Sequence, residues 1–451
     1  MGKKSPFIPA VASSLIWGSG QIFNRQYIKG IFLFIVQQIF ILTELVSGNY
    51  MVTDFKVRTN GGFFLHGLWG LITLGSEPRK MTLAGLTDGD HSVILLVNGI
   101  IALFILLIIL IVYLWNINDA YKTRKYYLEG REVSTSLNFI KTHLHSSFHY
   151  IILTPATLLI TFFVALPVIF SFLIAFTNYS ISNLPPTQLL DWVGFRNFLN
   201  IIRMPVWSRT FINILGWTIT WAVIATVSCY FGGLFQAVII NNKRVKLKRM
   251  WRGIFILPWA IPGMISLLVF KAMFNGQFGP ISQFLLDIGF TDERISWLSD
   301  PQNPNLARTV ILLINLWLGF PYFMALMTGV LTGISTDVIE AARVDGATPF
   351  QEFWQIKFPI VLQVTLPLLV MSFAGNFNNF GVIFFLTGGG PVNADYQFAG
   401  STDILITWIY KLTLDHQFYS MAAVMSTMIF LLIGTISVWN FRRTNAFKEE
   451  M

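Results

Sequence analysis

Asn315, Asn376 and Asn379 lie inside apolar runs, where an amide side chain needs a partner. Asn315 shares one helical face of the run 306–332 with Leu318, Gly319 and Tyr322. Asn376 and Asn379 share a face of the run 361–386, beside Gly375, Asn378 and Gly381. A third run, 252–274, is interrupted by Pro258 and Pro262, which free backbone groups that a neighbour or a cavity must satisfy. Amides both donate and accept, and an aromatic ring offers an apolar face, so a sugar suits this set. Hydrogen bonding between packed membrane helices suits it equally, and spacing alone leaves both readings open. Interrupted spans are where membrane carriers tend to hold substrate.

Other chemistry is poorly supported. No acid, base and nucleophile converge in the apolar runs, which argues against a membrane-embedded enzyme. No Asp or Glu lies deep in the later runs, which argues against a self-contained secondary transporter with paired carboxylates or a sodium site. The single cysteine, Cys229, sits in an apolar run and excludes an intramolecular disulfide. His143, His145 and His149 are unevenly spaced and make a weak metal site. No GxxxxGK[ST] loop is present, so no ATP site is expected on this chain. Glu44 and Lys271 fall near span ends and are expected to reach the water boundary, with no role assigned.

The elements that position the amides are membrane spans. A chain of 451 residues that is 54% hydrophobic and 12% charged is too apolar for a soluble domain. A run of roughly 20 apolar residues spans a bilayer. That criterion gives eight spans, near 29–48, 93–115, 151–177, 212–239, 252–274, 306–332, 361–386 and 419–440. The stretch Gly61–Gly75 is apolar but short and belongs to an outer loop. Residues 10–30, with Gly18 and Gly20 permitting a turn and Arg25 and Lys29 at the water boundary, read as an interfacial segment. The start carries Lys3 and Lys4 without an apolar core and small-residue cleavage site, so a removable signal peptide is not expected.

The net charge of +9 sits at span ends. Lys122, Arg124, Lys125, Arg131 and Lys141 occupy one connection, and Lys243, Arg244, Lys246, Lys248, Arg249 and Arg252 another. With Arg442, Arg443 and Lys448 in the tail they all fall on one side, which an even span count places in the cytoplasm with both termini. Orientation accounts for these cations better than nucleic acid or phosphate.

Between the sixth and seventh spans lies a polar stretch, 334–359. Ser335 or Thr336 caps a short helix that runs through Arg343, and Gly346 takes the left-handed turn that ends it. Thr348, Pro349 and Gln351 restart a helix through a capping box, and Pro359 ends or kinks it. Phe350, Phe353 and Trp354 share a face of that second helix and give it something apolar to dock.

Within this stretch, EAARVDGATPFQEFWQIKFP resembles the EAA signature of membrane subunits of ABC importers. Glu340, Ala341, Ala342, Asp345, Gly346, Ala347, Phe353, Ile356 and Pro359 match it. The resemblance extends through ILPWAIPGMISLLVFKAMFN, NLWLGFPYFMALMTGVL, NFNNFGVIFFLTGGGP and the last span, and is greatest to the maltose and maltodextrin permeases of the MalF type. It implies an all-α type I importer permease, in which an N-terminal region (1–150, two spans and a cytoplasmic loop) precedes a six-helix transport core (151–451). It implies a bacterial cell membrane location and ATPase coupling through Glu340, Ala341, Ala342, Asp345, Gly346 and Ala347. By residue match it places sugar contacts at Trp259, Gly263, Asn315, Leu318, Gly319, Tyr322, Gly375, Asn376 and Asn379.

Trp259 stands where a Tyr is expected and Gly263 where a Ser is. Gly375 replaces an aromatic, which removes a stacking partner. Only residues 178–211 separate spans three and four, so the large outer domain of some relatives is absent. The implied partners are a second permease of the MalG type, an ATPase dimer that holds ATP and magnesium, an external sugar-binding protein, membrane lipid and an oligosaccharide. Raffinose-type sugars compete with maltodextrins.

Overall fold

Lipid supplies no hydrogen bonds, so each apolar run has to satisfy its backbone internally. The computed structural model describes residues 5–82, 85–86, 88–131, 148–242 and 244–443. His143, His145, Lys141, Lys243 and the terminal lysines lie outside them. Six helices are long and apolar enough to cross a membrane: Tyr27–Ser47, Ser92–Leu128, Phe148–Ile174, Pro205–Asn241, Pro304–Gly333 and Pro349–Thr387. A seventh span is broken, Lys248–Ala260 and Gly263–Met273 meeting at 87°. The helix Tyr419–Arg443 makes the eighth. They coincide in order with the eight apolar runs. The chain is a multi-pass, all-helical membrane protein, and the two-residue strands Met81–Thr82 and Gly85–Leu86 do not alter that class.

By internal contacts the chain forms two units, residues 1–197 with 418–451, and residues 198–417. In the first unit, the residues before span one form two short helices, Phe7–Leu15 and Ser19–Phe23. A polar network pins them to the far end of the helix Ser92–Leu128. Gly18 N donates to Asn116 Oδ1 at 3.1 Å, Asn116 Nδ2 to Ser13 O at 2.9 Å, and Gln21 Nε2 to Asp119 Oδ2 at 3.1 Å. Lys29 is therefore not at a water boundary. It is buried, with its ammonium 2.5 Å from Asp119 Oδ1 and 4.7 Å from the Trp115 ring, which offset the cost of removing the charge from water.

Glu44 likewise does not reach for water. Its carboxylate accepts Gly62 N at 3.0 Å and Phe64 N at 2.7 Å, and so caps the helix Phe63–Thr73 within the stretch expected as loop. That helix packs on span two where a Cβ on Gly67 would lie 2.8 Å from Ala102 Cβ.

In the second unit the core joins spans four, six and seven. Cys229, Tyr230, Leu234 and Ala237 meet Phe323, Met324, Met327 and Val361. Tyr230 Oη and Thr365 Oγ1 share a hydrogen bond of 3.0 Å, which satisfies both hydroxyls within the apolar core.

Candidate functional site

The break in span five follows from its prolines. Pro258 lies inside the last turn of Lys248–Ala260, where it removes the amide that would donate to Ile254 O, and Pro262 stands as N-cap of the half-helix Gly263–Met273, where no amide has to donate. The break leaves Trp259 and Gly263 exposed. The Trp259 ring lies 5.8 Å from that of Tyr322, tilted by 31°, which joins spans five and six through two aromatic faces. A Cβ on Gly263 would meet nothing within 4 Å.

The face expected on span six divides between two neighbours. Asn315 is 5% exposed and turns to span four, its Nδ2 3.6 Å from Cys229 Sγ, while the thiol donates to Asn315 O at 3.5 Å. Gly319 supplies the clearance for this seam, because a Cβ there would lie 2.5 Å from Cys229 Sγ. Leu318 and Tyr322 are half-buried, and the Tyr322 ring meets that of Trp259 in span five.

Span seven is interrupted at Asn378, between Phe358–Phe377 and Phe380–Thr387. Asn379 Oδ1 accepts Val382 N at 3.3 Å and caps the second piece. Its Nδ2 donates to Asn376 Oδ1 at 3.4 Å. Asn376 Nδ2 in turn donates to Thr226 Oγ1 at 3.0 Å, and Asn376 O accepts from Trp221 Nε1 at 2.9 Å. Gly375 is exposed, and a Cβ there would meet nothing within 4 Å.

The structure thus pairs Trp259 with Tyr322 and Asn376 with Asn379, and sets Asn315 and Gly319 against Cys229. It shows no hydrogen bond between Asn315 and the other two amides among the described residues. Span four is what the sequence reading missed. Thr226 holds Asn376 and Cys229 holds Asn315, three residues apart on one face. The signal available was the Trp217, Trp221 spacing followed by Ala222, Ala225, Thr226 and Cys229 at helical intervals.

The hairpin after span six has the expected caps. Ser335 Oγ accepts Asp337 N at 3.2 Å at the head of Thr336–Val344, and Gly346 has φ +85°. Thr348 Oγ1 accepts Gln351 N at 3.3 Å while Thr348 N donates to Gln351 Oε1 at 2.9 Å. Pro359, however, does not end a helix. A π-helical turn over Glu352–Lys357 runs into Phe358–Phe377, so Pro359 stands where a continuous helix changes from π to α.

Glu352, which the sequence reading left without a role, is 4% exposed and staples the hairpin. Its carboxylate meets Arg343 Nη2 at 3.0 Å and Lys357 Nζ at 2.5 Å. Burial works against its charge, but hydrogen bonds from Lys357 and Arg343 and their positive charges outweigh it and hold the carboxyl below the usual carboxylate range. Glu340, Ala341, Asp345 and Gly346 are exposed, with Ala342 and Ala347 half-buried. Phe353 packs on the core, whereas Phe350 is 71% and Trp354 42% exposed. Only part of the expected docking face is used within this chain. Among the described residues no group of His, Cys, Asp and Glu is placed to hold a metal.

Sequence comparison adds a decisive observation. The chain is 38% identical to the galactooligosaccharides transport system permease protein GanP of Bacillus subtilis, over 98% of both chains. It belongs to the binding-protein-dependent permeases. The family signature, described as a binding-protein-dependent transport system inner membrane component, matches residues 230–445, which hold the hairpin and every candidate contact named above. This permease is also 36% identical to the maltodextrin transport system permease protein MdxF of Bacillus subtilis, over 97% of this chain and 95% of that protein. Among solved structures it is similar to a bacterial ABC transporter involved in alginate import, with TM-score 0.54 and 21% identity over 67% of this chain and 96% of that one. That likeness shows the fold.

Proposed function

We propose that this permease is one of two membrane subunits of an ATP-driven bacterial importer for neutral oligosaccharides of the maltodextrin class. The observation that carries the reading is the hairpin 334–359: capped at both helices, stapled at Glu352, and exposing Glu340, Asp345, Gly346, Phe350 and Trp354 to something outside the chain. Residues 151–451 form the transport core, with 1–150 as an added N-terminal region. Both termini and the hairpin face the cytoplasm.

In this reading the chain performs no covalent chemistry. A partner ATPase dimer holds ATP and magnesium, and its closure moves the hairpin. The hairpin is continuous with the helix that carries Asn376, so its motion reaches Asn376 through one helix and Asn379 through the hydrogen bond between the two amides. An external binding protein delivers the sugar and a second permease completes the path. Trp259 and Tyr322 offer apolar faces to the sugar, Asn315, Asn376 and Asn379 offer amides, and Gly263, Leu318, Gly319 and Gly375 set the room around it.

A second reading, a galactooligosaccharide substrate, is favoured by the 38% identity to GanP against 36% to MdxF. Uptake measured with a panel of both sugar series decides between them. For the coupling role, Gly346→Asp in the assembled transporter is expected to lower ATPase stimulation and uptake about tenfold, because a side chain there strains a left-handed turn and stands in the docking face. Undiminished coupling in an assembled complex would sink the assignment.

A further inference from the structure

At the ends of spans four and six remote from the hairpin, the seam between them opens into a cavity of about 660 Å³. Small-molecule sites occupy ~300–1,000 Å³, so this one has room for a ligand. Its wall is unlike a surface built for lipid. Asn213 and Thr220 of span four and Asn305 and Thr309 of span six line it, and all four are exposed.

One side is closed by a fixed pair. The Arg308 guanidinium lies 4.3 Å from the Trp217 ring centroid, and its Nε and Nη2 donate to Ser401 O at 3.1 and 2.8 Å. The third nitrogen, Nη1, faces Asn305 Oδ1 at 3.4 Å, and Trp217 Nε1 donates to Thr402 O at 3.2 Å. Arg308 is thereby held in place, and the amides and hydroxyls around it suit the hydroxyls of a glycan.

The cavity is aligned with the candidate sugar contacts. Arg308, Leu312, Asn315, Gly319 and Tyr322 follow one another at alternating intervals of four and three, one stripe of span six. Leu312 in the lining stands seven residues, about 10 Å of helix, from Gly319. On span four the Trp217 ring lies 6.5 Å from that of Trp221, whose indole holds Asn376.

We propose that this cavity is a second glycan subsite, which takes the distal units of a neutral oligosaccharide whose leading units lie at Asn376 and Tyr322. The proposal rests on the sugar-import reading, under which this is the outer end of the path. It makes the cavity a determinant of chain length.

The test uses the assembled transporter in proteoliposomes with its ATPase and binding protein. Uptake of a disaccharide and of a pentasaccharide is measured in the maltodextrin series and in the galactooligosaccharide series. Asn213→Ala removes an amide from the wall, and Thr220→Trp fills the space. In the imported series, either variant is expected to lower the pentasaccharide-to-disaccharide uptake ratio about tenfold. The disaccharide reports assembly in the same vesicles. An unchanged ratio overturns the subsite, whether both sugars fall together or neither does. A wild-type complex that imports neither of these series nor raffinose overturns the sugar-import reading and the subsite with it.

Discussion

At the scale of single residues, the close contacts make separable claims. Gly319 leaves room for Cys229 and nothing larger, so Gly319→Leu should overpack the seam between spans four and six by ~1–3 kcal/mol, read as a lower thermal midpoint of the assembled complex. Cys229→Ala removes the clashing sulfur, and the double variant should recover part of the loss; strictly additive effects would contradict the contact. Glu352 gives a pH-dependent claim. Its folded value is depressed, so its contribution is complete above the unfolded value near ~4.3 and is lost as pH falls through the lower folded value. Protease cleavage within 336–357 should stay flat from neutral pH to about 5 and rise below about 4. In Glu352→Gln that acid step should vanish and cleavage at neutral pH should increase, consistent with ~1–2 kcal/mol for a staple whose arginine is half exposed.

At the scale of elements, local signals were read well and long-range ones were not. The caps of the hairpin depend on residues within four positions of each other, and Ser335, Gly346 and the Thr348–Gln351 box are legible in sequence for that reason. The breaks of span five follow from Pro258 and Pro262 in the same way. By contrast Glu44 caps a helix about 20 residues downstream, and Thr226 meets Asn376 across 150. No periodicity records such partners, so Glu44 and Lys29 were expected at water and span four had no role. Of the end or kink that Pro359 allows, the end does not occur: a π-helical turn ahead of it passes directly into α-helix. The Glu44 cap is testable by itself. Glu44→Ala should cost ~0.5–2 kcal/mol and speed amide exchange at Gly62 and Phe64, and unchanged exchange there would contradict it.

At the scale of the whole molecule, the chain leaves apolar helix surface uncovered. In Phe148–Ile174 only 6% of the apolar window is buried within the chain, against 44% in Pro205–Asn241. A surface of that kind is for lipid or a second permease. The proposed orientation predicts that a cysteine placed at Asp395 is labelled by an impermeant thiol reagent from outside intact cells, and one at Asp345 only after the membrane is opened. The reverse pattern would invert the topology and remove the hairpin from any cytoplasmic ATPase.

The central claim is that the hairpin 334–359 docks on that ATPase. Val344, 88% exposed on the helix Thr336–Val344, is the place to ask, with a photo-crosslinking residue installed there in the assembled transporter. Capture of the ATPase subunit is expected from Val344, and none from the same residue at Asp395. Failure to capture the ATPase from Val344 in a complex that hydrolyses ATP and imports substrate would contradict it.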